Sequence, residues 1–111
     1  MLRGRYTELD CHVVHGAEVE MTSWRVLITE EMKEHDDTWD NVESIALAAD
    51  KYQYTHEPSL DRLFDPGFGC PEGDFFTVWT KTRVYFPKEY DGAESCCSVA
   101  RHPDGVATEH K

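Results

Sequence analysis

The residues with the chemistry to bind a metal or act as nucleophiles are four cysteines and six histidines. Cys11 and His15 are separated by three residues, His12 among them, and Cys70, Cys96, Cys97 and His102 supply ligand types further on. A structural zinc site is normally built from two close pairs, such as C-x2-C with H-x3-H. No C-x2-C occurs here. Adjacent strand residues point to opposite faces, so Cys96 and Cys97 make a poor chelating pair. No metal and no cofactor are expected. A reactive thiolate needs a base or positive surroundings. Extended chain separates Cys97 from His102, and an acidic domain raises thiol pKa values, so Cys97 reads as a strand residue of the core. The glycine-rich run Pro66–Gly73 lacks the G-x4-G-K-[ST] pattern of a phosphate cradle, and Glu72 and Asp74 would repel phosphate. No catalytic residue is assigned, and the chain is not expected to be an enzyme.

The acids are more telling. Glu30, Glu31, Glu34, Asp36, Asp37, Asp40 and Glu43 crowd one short segment against a single Lys33. Glu30, Glu34 and Asp37 recur at helical spacing and are expected to share a solvent-facing ridge. Like charges at that spacing cost a few tenths of a kcal/mol per pair, so a helix shaped for stability alone has no use for them. A second set, Asp61, Asp65, Glu72 and Asp74, flanks the glycine run.

Over 111 residues the net charge is −11 (11 basic against 22 acidic), with 13 aromatic side chains. That length suits one small domain, and the rings supply enough apolar material for a core. The charge argues against direct nucleic-acid binding, which needs a basic footprint. No apolar run approaches the roughly 18–20 residues of a membrane helix, so no membrane partner is expected. Arg3 and Arg5 are not followed by a signal-peptide apolar stretch, and free thiols in the cytoplasm are the expectation.

The positioning elements follow from periodicity. Thr22 and Ser23 are helix N-cap types, and Trp24, Leu27, Ile28 and Met32 line one face of a helix expected over Ser23–His35. Residues 1–20 read as an extension to a single domain over 21–111. Val42–Leu47 mixes periods and allows a strand or a short helix, of which a strand after Trp39 is favoured, and Ser59 fits the N-cap of a helical turn over Leu60–Asp65. Three β-branched and aromatic runs follow, starting at Phe75, Arg83 and Ser95. Asp91-Gly92 between the last two is a two-residue hairpin signal. That turn pairs Tyr90 with Ala93, Phe86 with Cys97 and Val84 with Val99, while a Lys81-Thr82 turn pairs Trp79 with Val84. Phe75, Trp79, Val84, Phe86, Cys97 and Val99 then share a face, which the helix is expected to cover. Pro87 should bulge or end the middle strand, and Glu89 falls opposite Glu94, a like-charge pair. The expected fold is α+β: one main helix on a three- to four-stranded antiparallel sheet with a C-terminal meander.

Phe76-Thr77-Val78-Trp79-Thr80-Lys81, Arg83-Val84-Tyr85-Phe86-Pro87, Tyr90-Asp91-Gly92 and Arg101-His102-Pro103 resemble stretches of a group of short, uncharacterised bacterial and phage proteins. Met21-Thr22-Ser23-Trp24 and Gly67-Phe68-Gly69 extend the resemblance over about residues 21–110. It implies a prokaryotic or phage origin and transfers no functional residue. The expected function is that of a small acidic binding protein whose partner is a basic nucleic-acid-handling protein. A phage-type anti-CRISPR or anti-restriction inhibitor, occluding a basic groove by electrostatic and steric mimicry, fits that description. Its contacts would come from the Glu30–Glu43 acids, with Tyr52, Tyr54 or Phe68 as aromatic anchors. The alternatives are an assembly protein that oligomerises through a sheet edge, its acids merely solvating, and a thiol- or metal-dependent enzyme.

Overall fold

A computed structural model describes residues 21–49, 57–67 and 72–109. Helix α1 (Trp24–Glu34) is followed by a 3-10 turn at Trp39–Asn41 and by strands β1 (Val42–Ala48), β2 (Phe75–Thr80), β3 (Arg83–Tyr90) and β4 (Ala93–Ala100). The strands form one antiparallel sheet in the order β1-β2-β3-β4, so the α+β reading holds. The extension 1–20, Cys11, His12, His15, Cys70, Tyr52, Tyr54 and Phe68 lie outside the described residues.

Ser23 starts α1 as expected, its hydroxyl accepting the Val26 N–H. The N–H of Arg25, another donor without an intrahelical partner, goes to the Leu60 carbonyl at 2.8 Å. Trp24, Ile28 and Met32 repeat every four residues and are buried. They meet Leu60, Phe64, Phe76, Val78 and Tyr85 in one core. Trp24 lies 5.0 Å from the Phe64 ring and 4.8 Å from Phe76, both tilted, and its indole N–H donates to the Asp74 carbonyl at 2.9 Å. Gly73 is needed beneath it, because a Cβ there would come within 2.5 Å of the indole.

Residues 60–65 are not the expected helical turn. A turn at Leu60-Asp61 gives way to extended chain, and Phe64 forms a bridge with Thr22 through two 2.8 Å backbone bonds. A helix here would turn the Phe64 N–H to the Leu60 carbonyl and leave the Thr22 backbone without this bridge.

The meander has the expected register: Tyr90 with Ala93, Phe86 with Cys97, Val84 with Val99, and Trp79 with Val84. Asp91 and Gly92 have φ of 54° and 84°, as a type I′ hairpin requires. Pro87 neither bulges nor ends β3, which runs on to Tyr90 and pairs Pro87 with Cys96. Its missing N–H falls on the other side. The β2–β3 ladder stops at Val78 and Tyr85, and a cavity of about 270 Å³ between Trp24, Phe75 and Pro87 opens where the strands part.

One expectation is reversed. The face carrying Trp79, Val84, Phe86 and Val99 is half-buried, and α1 packs on the opposite one, against Phe76, Val78, Tyr85 and partly buried Cys96. That face looks less apolar because Thr80, Tyr85 and Ser98 lie on it. Their hydroxyls are there to serve carboxylates.

Candidate functional site

The seven acids of the expected ridge separate into two groups. Glu30 and Glu34 are exposed on the outer side of α1. At Asp36 the chain enters the left-handed region, φ 55°, while the His35 and Asp37 N–H groups both close on the Met32 carbonyl at 3.0 and 2.9 Å. A short polar side chain tolerates that conformation better than most. The reversal leaves Asp36 exposed and sends Asp37 inward.

Asp37 is therefore not on the solvent face where helical spacing placed it. It is 5% exposed. Its carboxylate accepts from the Thr80 and Tyr85 hydroxyls, each at 2.7 Å, from Asn41 Nδ2 at 2.9 Å and from the Thr38 N–H at 3.0 Å. Burial works against its charge, but the hydrogen bonds from Asn41, Tyr85, Thr80 and Thr38 outweigh it and hold the carboxyl below its ordinary range. The same contact, after burial, pushes the Tyr85 phenol far above its ordinary value. Asp37 thus ties the exit of α1 to β2 and β3.

Glu31 also turns inward. It accepts from the Ser98 hydroxyl at 2.8 Å and meets His35 Nε2 at 3.2 Å, while Ser98 accepts from Arg83 Nε at 2.9 Å. A cleft of about 280 Å³, lined in part by His35, Arg83, Ser98 and Asp104, opens beside this chain of contacts. The Ser98 proton is directed at a carboxylate, and among the described residues no histidine nitrogen is aimed at its oxygen, which differs from the geometry of an activated nucleophile. Glu43 pairs with Arg101 at 2.6 Å, and the same guanidinium nitrogen donates to the Thr80 carbonyl at 2.7 Å.

Four acids remain outward: Glu30, Glu34, Asp36 and Asp40. All are exposed, and none has an ion-pair partner among the described residues. They line the outer side of α1, its left-handed exit and the 3-10 turn that follows. Trp39 braces that turn. Its indole N–H donates to Thr29 Oγ1 at 2.8 Å, and the Arg25 guanidinium lies 4.7 Å above its ring.

The second acidic set is structural. Asp61 pairs with Arg25 at 2.5 Å, and Asp65 accepts from the Gly67 N–H at 2.9 Å. Asp74, 1% exposed, accepts from the Ser59 N–H at 3.2 Å and lies 3.5 Å from Arg62. Arg62 also donates to the Glu72 carbonyl. Sequence reasoning missed Glu94, which is buried and accepts from the N–H groups of Glu72 at 2.6 Å and Gly73 at 2.9 Å. Its only signal was the like-charge pairing with Glu89. That clash does not develop, because Glu89 turns to accept the Gly92 N–H at 2.6 Å.

Burial, followed by the Glu31 charge, pushes the Cys96 thiol far above its ordinary value, away from a nucleophilic thiolate. Among the described residues, no three His, Cys, Asp or Glu side chains come together as a metal site. No helix among them is long and apolar enough to cross a membrane. No family model, curated protein or solved structure matches the chain. Charge and geometry must carry the functional reading.

Proposed function

We propose that the chain is a small acidic binding protein that presents Glu30, Glu34, Asp36 and Asp40 to a cationic partner. The observation that carries this reading is the division of the acids. Glu31 and Asp37 hold α1 and its exit to the sheet and Glu43 pairs with Arg101, while these four are exposed with no ion-pair partner among the described residues. Carboxylates one helical turn apart lie about 5–6 Å from one another, a spacing that a groove lined with Lys and Arg can meet. The partner class is a basic nucleic-acid-handling protein, reached by electrostatic steering. A phage-type anti-CRISPR or anti-restriction inhibitor, acting in the cytoplasm by occupying such a groove, is the form of this function that fits the size and charge of the chain.

Of the original seven acids, Glu31, Asp37 and Glu43 act here as supports. A pull-down from a bacterial lysate, at low and at high salt, tests the reading. The wild-type chain should retain basic nucleic-acid-binding proteins at low salt, and the Glu30→Lys/Glu34→Lys variant should lose them. An unchanged set of retained proteins removes the proposal.

A further inference from the structure

The two edges of the sheet are treated differently. On β4 the Glu94 N–H is taken by the Pro66 carbonyl at 2.9 Å, and α1 packs against this strand. Among the described residues, β1 is paired on one side only, with β2. It is exposed along nearly its whole length. Open edges are usually blunted by Lys, Pro, inward charges or a bulge in mid-strand. Here the six residues Ser44-Ile45-Ala46-Leu47-Ala48-Ala49 carry no charge and no proline, and the one irregularity lies at the start, between Val42 and Ser44. Ile45 and Leu47, at 44% and 37% exposure, stand opposite Val78 and Phe76 on the core face.

We propose that β1 is an interface for a second copy of this chain, pairing antiparallel with its own counterpart. Charge permits this occupant here: two chains of net −11 repel each other over most of their surfaces, and this edge is a neutral strip along which they can approach. Register selects it. The two-fold axis of an isologous pair stands normal to the sheet and passes through one residue position. Centring on Ile45 sets Leu47 against Glu43, and centring on Leu47 leaves Ile45 against Ala49. Centring on Ala46 sets Ile45 against Leu47 of the second copy, twice, and Ser44 against Ala48. Glu43 then faces Ala49, so no charges oppose. The result is a continuous eight-stranded sheet with both helices on one side, its central apolar row running from Phe76 and Val78 through Ile45 and Leu47 into the other copy.

Light scattering coupled to size exclusion over a concentration series tests this. The expected mass is twice the 12.8 kDa of one chain. Ile45→Lys/Leu47→Lys should halve that mass with an unchanged circular dichroism spectrum. Ile45→Lys/Leu47→Glu should restore it, because the register sets position 45 against position 47. A wild-type chain that stays at 12.8 kDa up to its solubility limit overturns the proposal. So does an assembly larger than a dimer, or a dimer that both variants leave unchanged. If the double-lysine variant does not fold, hydrogen exchange on the wild type decides. Amides 44–48 should exchange more slowly as concentration rises, and equal rates at all concentrations refute the interface. These variants leave the outward acids of α1 in place, so their outcome is separate from that of the cationic-partner reading.

Discussion

Replacing Asp37 with alanine should be among the most damaging single changes in the domain. Its carboxylate receives four donors, two of them the hydroxyls of Thr80 and Tyr85, which are each 0% exposed. Water cannot readily replace the carboxylate at those two, whereas half-buried Asn41 can rehydrate. Each buried polar group left unsatisfied costs about 1–3 kcal/mol, and a buried charged network that loses one partner costs about 3–5 kcal/mol. Asp37→Ala should therefore lose about 3–5 kcal/mol. For a domain of this size that lowers Tm by on the order of 15 °C or more. Tyr85→Phe removes one donor and leaves the carboxylate three others, so it should cost only about 1 kcal/mol. Urea unfolding followed by circular dichroism, with all variants run together, gives the comparison. A loss below about 1 kcal/mol for Asp37→Ala would refute the idea that this carboxylate anchors the helix exit, since that is the scale of an ordinary surface change.

The pH dependence of stability should show two acids acting in opposite senses. Asp37 has a folded pKa below its ordinary 3.8, so its contribution is present above that value and is lost as pH falls through the folded one. Glu94 is raised above 4.5, chiefly by burial, with the Glu72 and Gly73 N–H groups only partly offsetting it. Its contribution is complete below 4.5 and is lost as pH rises through the folded value. Urea midpoints measured from neutral pH down to 4.5 should rise less in Glu94→Gln than in the wild type, and equal slopes would contradict the assignment. Gly73→Ala pushes a methyl to within 2.5 Å of the buried Trp24 indole. It should cost about 1–3 kcal/mol by overpacking, read as a drop in Tm, and an unchanged Tm would mean the indole has room to move. Ser23→Ala removes the α1 cap and should cost about 1 kcal/mol, while hydrogen exchange in the first turn quickens.

The hairpin at Asp91-Gly92 and the helix from Trp24 were legible because each rests on local chemistry. Positive φ at both turn residues selects Asp-Gly, and a four-residue repeat of apolar side chains makes a helical stripe. The register of three strands followed from the turns alone. Which face of the sheet the helix covers was not legible, since hydrophobicity is a poor guide once carboxylates are brought inside. Asp37 and Glu31 require hydroxyl partners, so Thr80, Tyr85 and Ser98 replaced apolar residues on the core side. The Asp37 error has the same origin. Helical spacing assigns it to the solvent ridge only if the helix continues, and the left-handed Asp36 ends that continuation. The open edge at β1 carried a signal, the neutral run 44–49. Its position at the margin of the sheet is a property of topology, which no local pattern reveals.

The outward display of Glu30, Glu34, Asp36 and Asp40 is tested most directly by neutralising those four and measuring affinity for a basic protein retained by the wild type. The variant Glu30→Gln/Glu34→Gln/Asp36→Asn/Asp40→Asn should keep its fold and its urea midpoint. Its Kd should rise at low salt, and the slope of log Kd against log salt should flatten. An affinity and a slope equal to those of the wild type would contradict the account.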